Sequence, residues 1–323
     1  MAAKRSTNEL RRLTRLLADG DLGGAQKLLD RHGGAGRKAR GSSDCIADTA
    51  DRRTAMAPDD ARDGPVLLAD ACPGGGVEIA TSPGSQRYWL IGGPLADVLP
   101  DAAPVEAEYA CVLRGARQRF DELSASAALC HLADGGPADP LFMDIETCGL
   151  SGAMVFLVGM MWQERGRLIF QQCLARDYSE EPGVLAAFAN RLGEAGVLVT
   201  FNGKSFDIPM IAERSIIHRV ELPPADGPPD NRLPPHLDLL HEARRRWKGK
   251  LPNCCLQTLE RYLCRRIRSG DIPGSAIPDA YHHFVRSGDA GQLRDIIRHN
   301  LLDLLTMVQL VCILLTSCDA DGV

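Results

Sequence analysis

Leu141-Phe142-Met143-Asp144-Ile145-Glu146-Thr147-Cys148-Gly149-Leu150 is the stretch on which the reading of this 323-residue chain turns. The apolar triplet Leu141-Phe142-Met143 opens a buried β-strand, and strand side chains alternate between faces, so Asp144 and Glu146 project from the same side. Two carboxylates aimed at one point from a stiff strand repel each other unless a divalent cation lies between them. Two-metal phosphoryl-transfer sites need that arrangement, with ions about 3.5–4 Å apart. A solvated strand end accommodates the same Asp-x-Glu pattern, so the remaining acids of the chain must decide.

Outward from this strand the C-terminal half is orderly. Apolar runs and turn residues predict strands at 141–146, 154–162 and 167–174, a helix across 181–194, a strand at 197–201 and a helix at 206–217. Beyond a Pro-rich loop at 221–235, helices are expected at 237–247, 256–266, 278–287 and 291–317. Early strands with short links, then a helix, a strand and more helices, make an α/β layered domain over 139–317. Upstream, Thr7 or Asn8 and then Asp21 can cap two short leucine-bearing helices, a helical hairpin within 1–32. Residues 33–64 are rich in Gly, Ala, Arg, Asp and Ser and read as a disordered linker. Residues 65–138 form a less defined accessory region, with strand-like pieces at 66–68 and 87–91 and a helical stretch at 105–123.

Composition narrows the class. Hydrophobic content of 45% is that of a globular protein, and a net charge of −5 gives no global sign of nucleic-acid affinity, so any such affinity must come from a local basic patch. No apolar stretch reads as a membrane span, the longest at 304–315 being interrupted by Thr306 and Gln309, and the N-terminus lacks a secretion signal; the expected location is cytoplasmic. The eleven cysteines include no Cys-x-x-Cys pair and several lie in apolar runs, so they are expected to be reduced and mostly structural.

Two further acidic clusters accompany the first. Asn202-Gly203-Lys204-Ser205-Phe206-Asp207 lies where a strand turns into a helix, and puts Asp207 in a first helical turn, at the sheet edge where ligands of α/β folds gather. An acid there also simply suits the helix dipole. His299-Asn300-Leu301-Leu302-Asp303 lies in an apolar helix, with His299 and Asp303 one turn apart on one face. A buried Asp needs a partner or a metal, and a His beside it can take a proton from water; a local His–Asp pair is the plainer alternative.

Asp-x-Glu on a first strand, Asn-x-x-x-Phe-Asp after a later strand and His-x-x-x-Asp on a C-terminal helix appear in the order used by the DEDD exonucleases, whose fold is ribonuclease H-like. The second cluster resembles the proofreading exonuclease of family B DNA polymerases. Residues 141–310 resemble the YprB-type ribonuclease H-like domain, through Phe142-x-Asp144-Ile-Glu146-Thr-x-Gly149-Leu, Phe156-Leu-Val-Gly159, the Asn202–Asp207 motif, His236-x-Asp238-Leu-Leu and Leu256-x-x-Leu259-Glu260. The resemblance implies a ribonuclease H-like mixed sheet flanked by helices. It makes Asp144, Glu146, Asp207 and Asp303 ligands of two Mg²⁺ or Mn²⁺ ions and the reaction a 3′-to-5′ hydrolysis of single-stranded DNA or RNA. Polymerase-type members place Tyr four residues before the last Asp and the other large subclass places His five before; here His299 takes the four-residue spacing, as the candidate base, and Arg298 the five-residue one.

Thr147 and Asn202 are candidate contacts to the terminal nucleotide and Leu150 a wedge against its base, though strand-end, turn and packing roles explain them as well. Arg244, Arg245 and Trp247 belong to a basic run at 244–268 suited to phosphates and base stacking, or to a solvated helix face. Asp238 either supports the site or caps the following helix. An endonuclease and a non-catalytic nucleic-acid-binding module are the competing readings, and the N-terminal hairpin offers a docking segment for a protein partner.

Overall fold

β3 (Pro140–Thr147), the strand that carries the Asp-x-Glu pair, lies inside a mixed sheet; the computed structural model describes residues 64–80, 86–118, 127–133, 140–150, 152–224 and 233–316. The expected hairpin at 1–32 and all of the linker but Gly64 lie outside the described residues. Apart from Pro223, Pro224 and Leu233, the described residues belong to one compact unit.

The other strands are β1 (Val77–Ala80), β2 (Arg87–Pro94), β4 (Val155–Glu164), β5 (Arg167–Leu174), β6 (Val197–Thr200) and β7 (His236–Asp238), in the spatial order β1-β2-β5-β4-β3-β6-β7. The pairs from β1 to β3 are antiparallel, while β3–β6 and β6–β7 are parallel. Connection chemistry explains the change of sense. β4 and β5 are joined by Arg165-Gly166, both at positive φ (50° and 81°), which suits a tight hairpin. β3 and β6 run parallel and need a long crossover containing a helix.

Numbering the helices longer than one turn, α1 is Ala103–Gln118, α2 Ala127–Ala133, α3 Glu181–Gly193, α4 Asp207–His218, α5 Leu239–Trp247, α6 Leu256–Tyr262, α7 Ile277–Ser287 and α8 Gly291–Thr316. β3 and the first part of β4 are buried at consecutive positions, so both sheet faces are covered there, as expected for central strands. α8 packs on β3, β4 and α1, and α3 packs on β4 and β2. Phe156 of β4 stacks on Tyr281 of α7 at 4.0 Å, and the Tyr281 hydroxyl donates to the Ala175 carbonyl at 3.0 Å.

The strands expected at 141–146, 154–162 and 167–174 are present to within a residue or two, as are the helices at 181–194 and 206–217. Residues 66–68 do not form a strand. The Val66 backbone is tied to Asp289 and Ala290, and a single helical turn, Leu68–Ala71, follows. The helix expected from 237 starts at Leu239, because His236–Asp238 continues the sheet and the Asp238 carboxylate accepts from Leu240 N at 3.0 Å. The reading that no stretch could span a bilayer is also corrected: α8 is long and apolar enough by length and composition, yet most of it is buried inside this fold, which makes it a core helix here. Among the described cysteines, eight are free thiols, in line with the expectation.

Glu181 ties three elements together. Buried at the start of α3, it accepts from Val155 N at 2.9 Å and pairs with Arg214 (2.6 Å) and His218 (2.7 Å) of α4. Arg214 also donates to the Gly152 carbonyl at 3.2 Å, which fixes the loop after β3. Burial would raise the Glu181 pKa, but Arg214, the Val155 amide and His218 together bring it below its ordinary value.

The α3–β2 approach gives a first test. A Cβ on Gly183 would stand 2.3 Å from the Arg87 carbonyl oxygen. Gly183→Ala should therefore lower stability in urea denaturation by about 1–3 kcal/mol; unchanged stability would contradict this packing of α3 on β2.

Candidate active site

Asp144 and Glu146 leave one face of β3, Asp207 is the first residue of α4, and Asp303 lies midway along α8. All four line one cavity of about 400 Å³, together with His299, Thr147, Asn202 and the apolar side chains of Leu150, Phe206 and Ile277. The β3–β4 register shifts between Glu146 and Thr147, the kind of irregularity that re-aims side chains at a strand end.

The acids perturb one another. Burial pushes the Asp144 carboxyl well above the usual range, and Asp303, Glu146 and Asp207 push it further. Glu146 is raised by burial and then by Asp303 and Asp207. Asp207 is raised to about 7, by burial and by the charges of Asp238 and Asp303, against hydrogen bonds from its own backbone and that of Ile145. Asp303 is raised by burial in spite of His299 and Arg268 beside it.

Neutral groups hold these acids in place. Asn300 of α8 is fully buried; its amide nitrogen donates to Asp144 Oδ2 at 2.9 Å and to the Asp144 carbonyl at 3.2 Å. Its amide oxygen accepts from Gln172 at 2.9 Å. Gly159 faces Asp144 across the ladder, and a Cβ there would stand 1.9 Å from Asn300 Oδ1. The Phe156-Leu-Val-Gly159 motif thus ends on the residue that admits Asn300.

The turn before Asp207 is anchored from β7. Asp238 accepts from Asn202 N (2.8 Å), Lys204 N (3.1 Å) and Leu240 N (3.0 Å), so it both caps α5 and holds the turn. Asn202 sits at φ 65°, a conformation Asn tolerates better than most residues. Gly203 lies so close to Thr200 that a Cβ would meet its Oγ1 at 2.3 Å, and that hydroxyl bonds His236 Nε2 at 2.8 Å.

His299 reaches the cavity with both ring nitrogens oriented. Nδ1 lies 2.8 Å from Asp271 Oδ1, and Nε2 lies 3.5 Å from Asp303 Oδ2. Burial would depress its pKa, but the Asp271 hydrogen bond and the charges of Asp303 and Asp271 outweigh burial and raise it. The other Asp303 oxygen accepts from Arg268 Nη2 at 2.5 Å. Among the described residues no three His, Cys, Asp or Glu side chains converge into a ready-made metal cage. The donor chemistry nevertheless fits a hard divalent ion, because four carboxylates line one cavity, Asp144 and Glu146 are raised by their acidic neighbours, and oxygen ligands suit Mg²⁺ or Mn²⁺.

The expected substrate contacts divide. Leu150, 81% exposed, stands at the cavity wall, so it is not a packing residue. The Thr147 hydroxyl donates to the Gly149 carbonyl at 2.6 Å, which engages it in its own turn. Arg244 and Arg245 are exposed on α5 but do not line the cavity, and Arg245 pairs with Glu242 at 2.6 Å. Trp247 is a correction: only 9% exposed, its ring is packed in the fold and offers no face to a base. Arg266 and Arg268, from the same basic run, turn inward to Glu260. Asp271 escaped the sequence reading altogether. Asn300, Gly159 and Arg268 stood in the quoted motifs and in the basic run, but their contacts with the acids were not read there.

Two expectations follow from this geometry. An acid whose folded pKa is raised destabilises the fold once ionised, and His299, also raised, stabilises it only while protonated. In EDTA the melting temperature should therefore fall as pH rises from about 4, the unfolded carboxylate range, through the value of about 7 reached by Asp207. A flat profile would contradict mutual repulsion at the site. Asn300→Ala should destabilise by about 1–3 kcal/mol in urea, since it leaves one buried Gln172 N–H unpaired, the other still held by the Ile297 carbonyl, and frees Asp144.

A family model of the RNase_H superfamily matches residues 141–315, just over half of the chain. Over 174 residues the chain is 33% identical to the uncharacterized protein YprB of Bacillus subtilis (strain 168); the match covers 52% of this chain and 40% of that relative. Among solved structures, the family B DNA polymerase from the hyperthermophilic archaeon Pyrobaculum calidifontis aligns with a TM-score of 0.43 and 19% identity, covering 54% of this chain and 24% of that one. With its mixed seven-stranded sheet and flanking helices, the chain belongs to the RNase H superfamily.

Proposed function

We propose that this protein is a metal-dependent nuclease that removes nucleotides from the 3′ end of single-stranded DNA or RNA, and that it works in the cytoplasm. The observation that supports this most is the meeting of Asp144, Glu146, Asp207 and Asp303 with His299 in one cavity. Nothing in folding asks for four acids to line one cavity, and superfamily membership points to the nuclease class.

Two Mg²⁺ or Mn²⁺ ions, held by those four carboxylates, would supply Lewis-acid stabilisation of the charge that builds on the phosphate. His299, held through Nδ1 by Asp271, presents Nε2 towards Asp303 and accepts the proton of the attacking water. The water oxygen bonds to phosphorus and the bond from phosphorus to the preceding 3′ oxygen breaks. The departing 3′ oxygen takes a proton from solvent, so the shortened strand keeps a 3′ hydroxyl, and a nucleoside 5′-monophosphate leaves. Leu150 presses on the terminal base, with Asn202 and Thr147 beside the sugar and phosphate. A cavity of about 400 Å³ has room for a terminal nucleotide. Residues 1–32, joined through the linker at 33–64, are the proposed docking segment for a protein partner.

End-labelled and circular oligonucleotides incubated with Mn²⁺ test the reading. Stepwise loss from the 3′ label, no cutting of circles and full inhibition by EDTA are expected. Asp144→Ala and Asp207→Ala should each lower the rate by about a thousandfold or more. Cut circles would make the enzyme an endonuclease. Variants as active as wild type would remove the acids from the chemistry, and no cleavage of any substrate would leave a binding module.

A further inference from the structure

Arg268 is the feature of the site that its family-like motifs do not contain. Its side chain is only 5% exposed, and a buried guanidinium has to be paired. It donates from Nε to Glu260 Oε2 at 2.6 Å, from Nη2 to Asp303 Oδ1 at 2.5 Å and from Nη1 to Asp271 Oδ2 at 3.4 Å. Glu260 does not need all of that charge. Its other oxygen already accepts from Arg266 Nη1 at 3.0 Å and from the Thr306 hydroxyl at 3.0 Å. Among the described residues, no other Lys or Arg pairs with any of the four cavity acids. One guanidinium therefore reaches the cluster through Asp303, and it also touches Asp271, the group that holds His299.

We propose that Arg268 is the resident counter-ion of the carboxylate cluster. It holds Asp303 and Asp271 in place while no divalent ion is bound, and it competes with the ion for Asp303. This assignment rests on the two-ion reading of the site and adds a positioning residue to it. The arrangement has opposite effects on two measurable quantities. The guanidinium stabilises the ion-free protein by offsetting repulsion among the acids, and it weakens ion binding by cancelling part of the negative charge. A guanidinium that serves packing alone would affect the first quantity and leave the second unchanged.

Isothermal titration of the full chain with MnCl₂, together with melting in EDTA, separates these roles. Arg268→Gln should melt lower than wild type in EDTA and bind Mn²⁺ about tenfold more tightly or better. Arg268→Lys, which keeps the charge, should bind Mn²⁺ within a fewfold of wild type. Should Arg268→Gln not fold in EDTA, Mn²⁺ or the added change Asp303→Asn must restore folding; rescue by neither overturns the proposal. Asp144→Asn is the control for the reading beneath it. If Asp144→Asn loses Mn²⁺ binding while Arg268→Gln binds no more tightly than wild type, the counter-ion assignment alone fails. If Asp144→Asn binds Mn²⁺ as wild type does, the ion site itself is misplaced and the Arg268 assignment falls with it.

Discussion

Repulsion among four largely enclosed carboxylates, Glu146 and Asp207 buried and Asp144 and Asp303 half-buried, is the constraint around which the rest of this structure is arranged. Two like charges 4 Å apart repel by about 4 kcal/mol near a protein surface, and burial makes each charge harder to keep. Removal from water is the first reason the pKa values of Asp144, Glu146, Asp207 and Asp303 rise, and neighbouring acids raise the first three further. A fold of marginal stability can hold such a cluster only if its supports are rigid and the surrounding core is large.

Those supports come from the middle of the domain. β3 pairs with β6 over Pro140–Phe142 and with β4 from Phe142 through Asp144 and Glu146, so these two acids have little freedom to separate. α8 is a core helix, and it brings Asn300, His299 and Asp303 to the cavity from one packed element. Asp238 at the sheet edge fixes the turn that delivers Asp207. Two glycines make these approaches possible: Gly159 admits Asn300 beside β3, and Gly203 lets the turn close over Thr200. Rigid elements, rather than loops, therefore set three of the four acids, while the loop after β3, pinned by Arg214, places Leu150 at the rim.

Much of this was legible in the chain because its signals are periodic. The alternation that put Asp144 and Glu146 on one face, and the one-turn spacing of His299 and Asp303, are local geometry that tertiary packing did not disturb. Asp238 was legible as a choice between capping a helix and supporting the site, and the structure shows one carboxylate capping α5 and holding the 202–204 turn. What escaped depends on contacts far apart in sequence. Asn300 meets Asp144 across 156 positions, and Arg268 meets Asp303 across 35. The basic run misled for a related reason: charge density in sequence carries no information on direction, and Arg266 and Arg268 turn inward to Glu260. Trp247 misled likewise, since an aromatic among arginines suits a binding face and a packed helix face equally well.

The central claim is that these acids exist to hold divalent ions. Anomalous diffraction from crystals grown with Mn²⁺ tests it most directly. The account predicts manganese peaks inside the cavity, within ligand distance of Asp144 and at least one of Glu146, Asp207 and Asp303. Manganese bound only elsewhere, with the four carboxylates still unliganded at saturating ion, would contradict it.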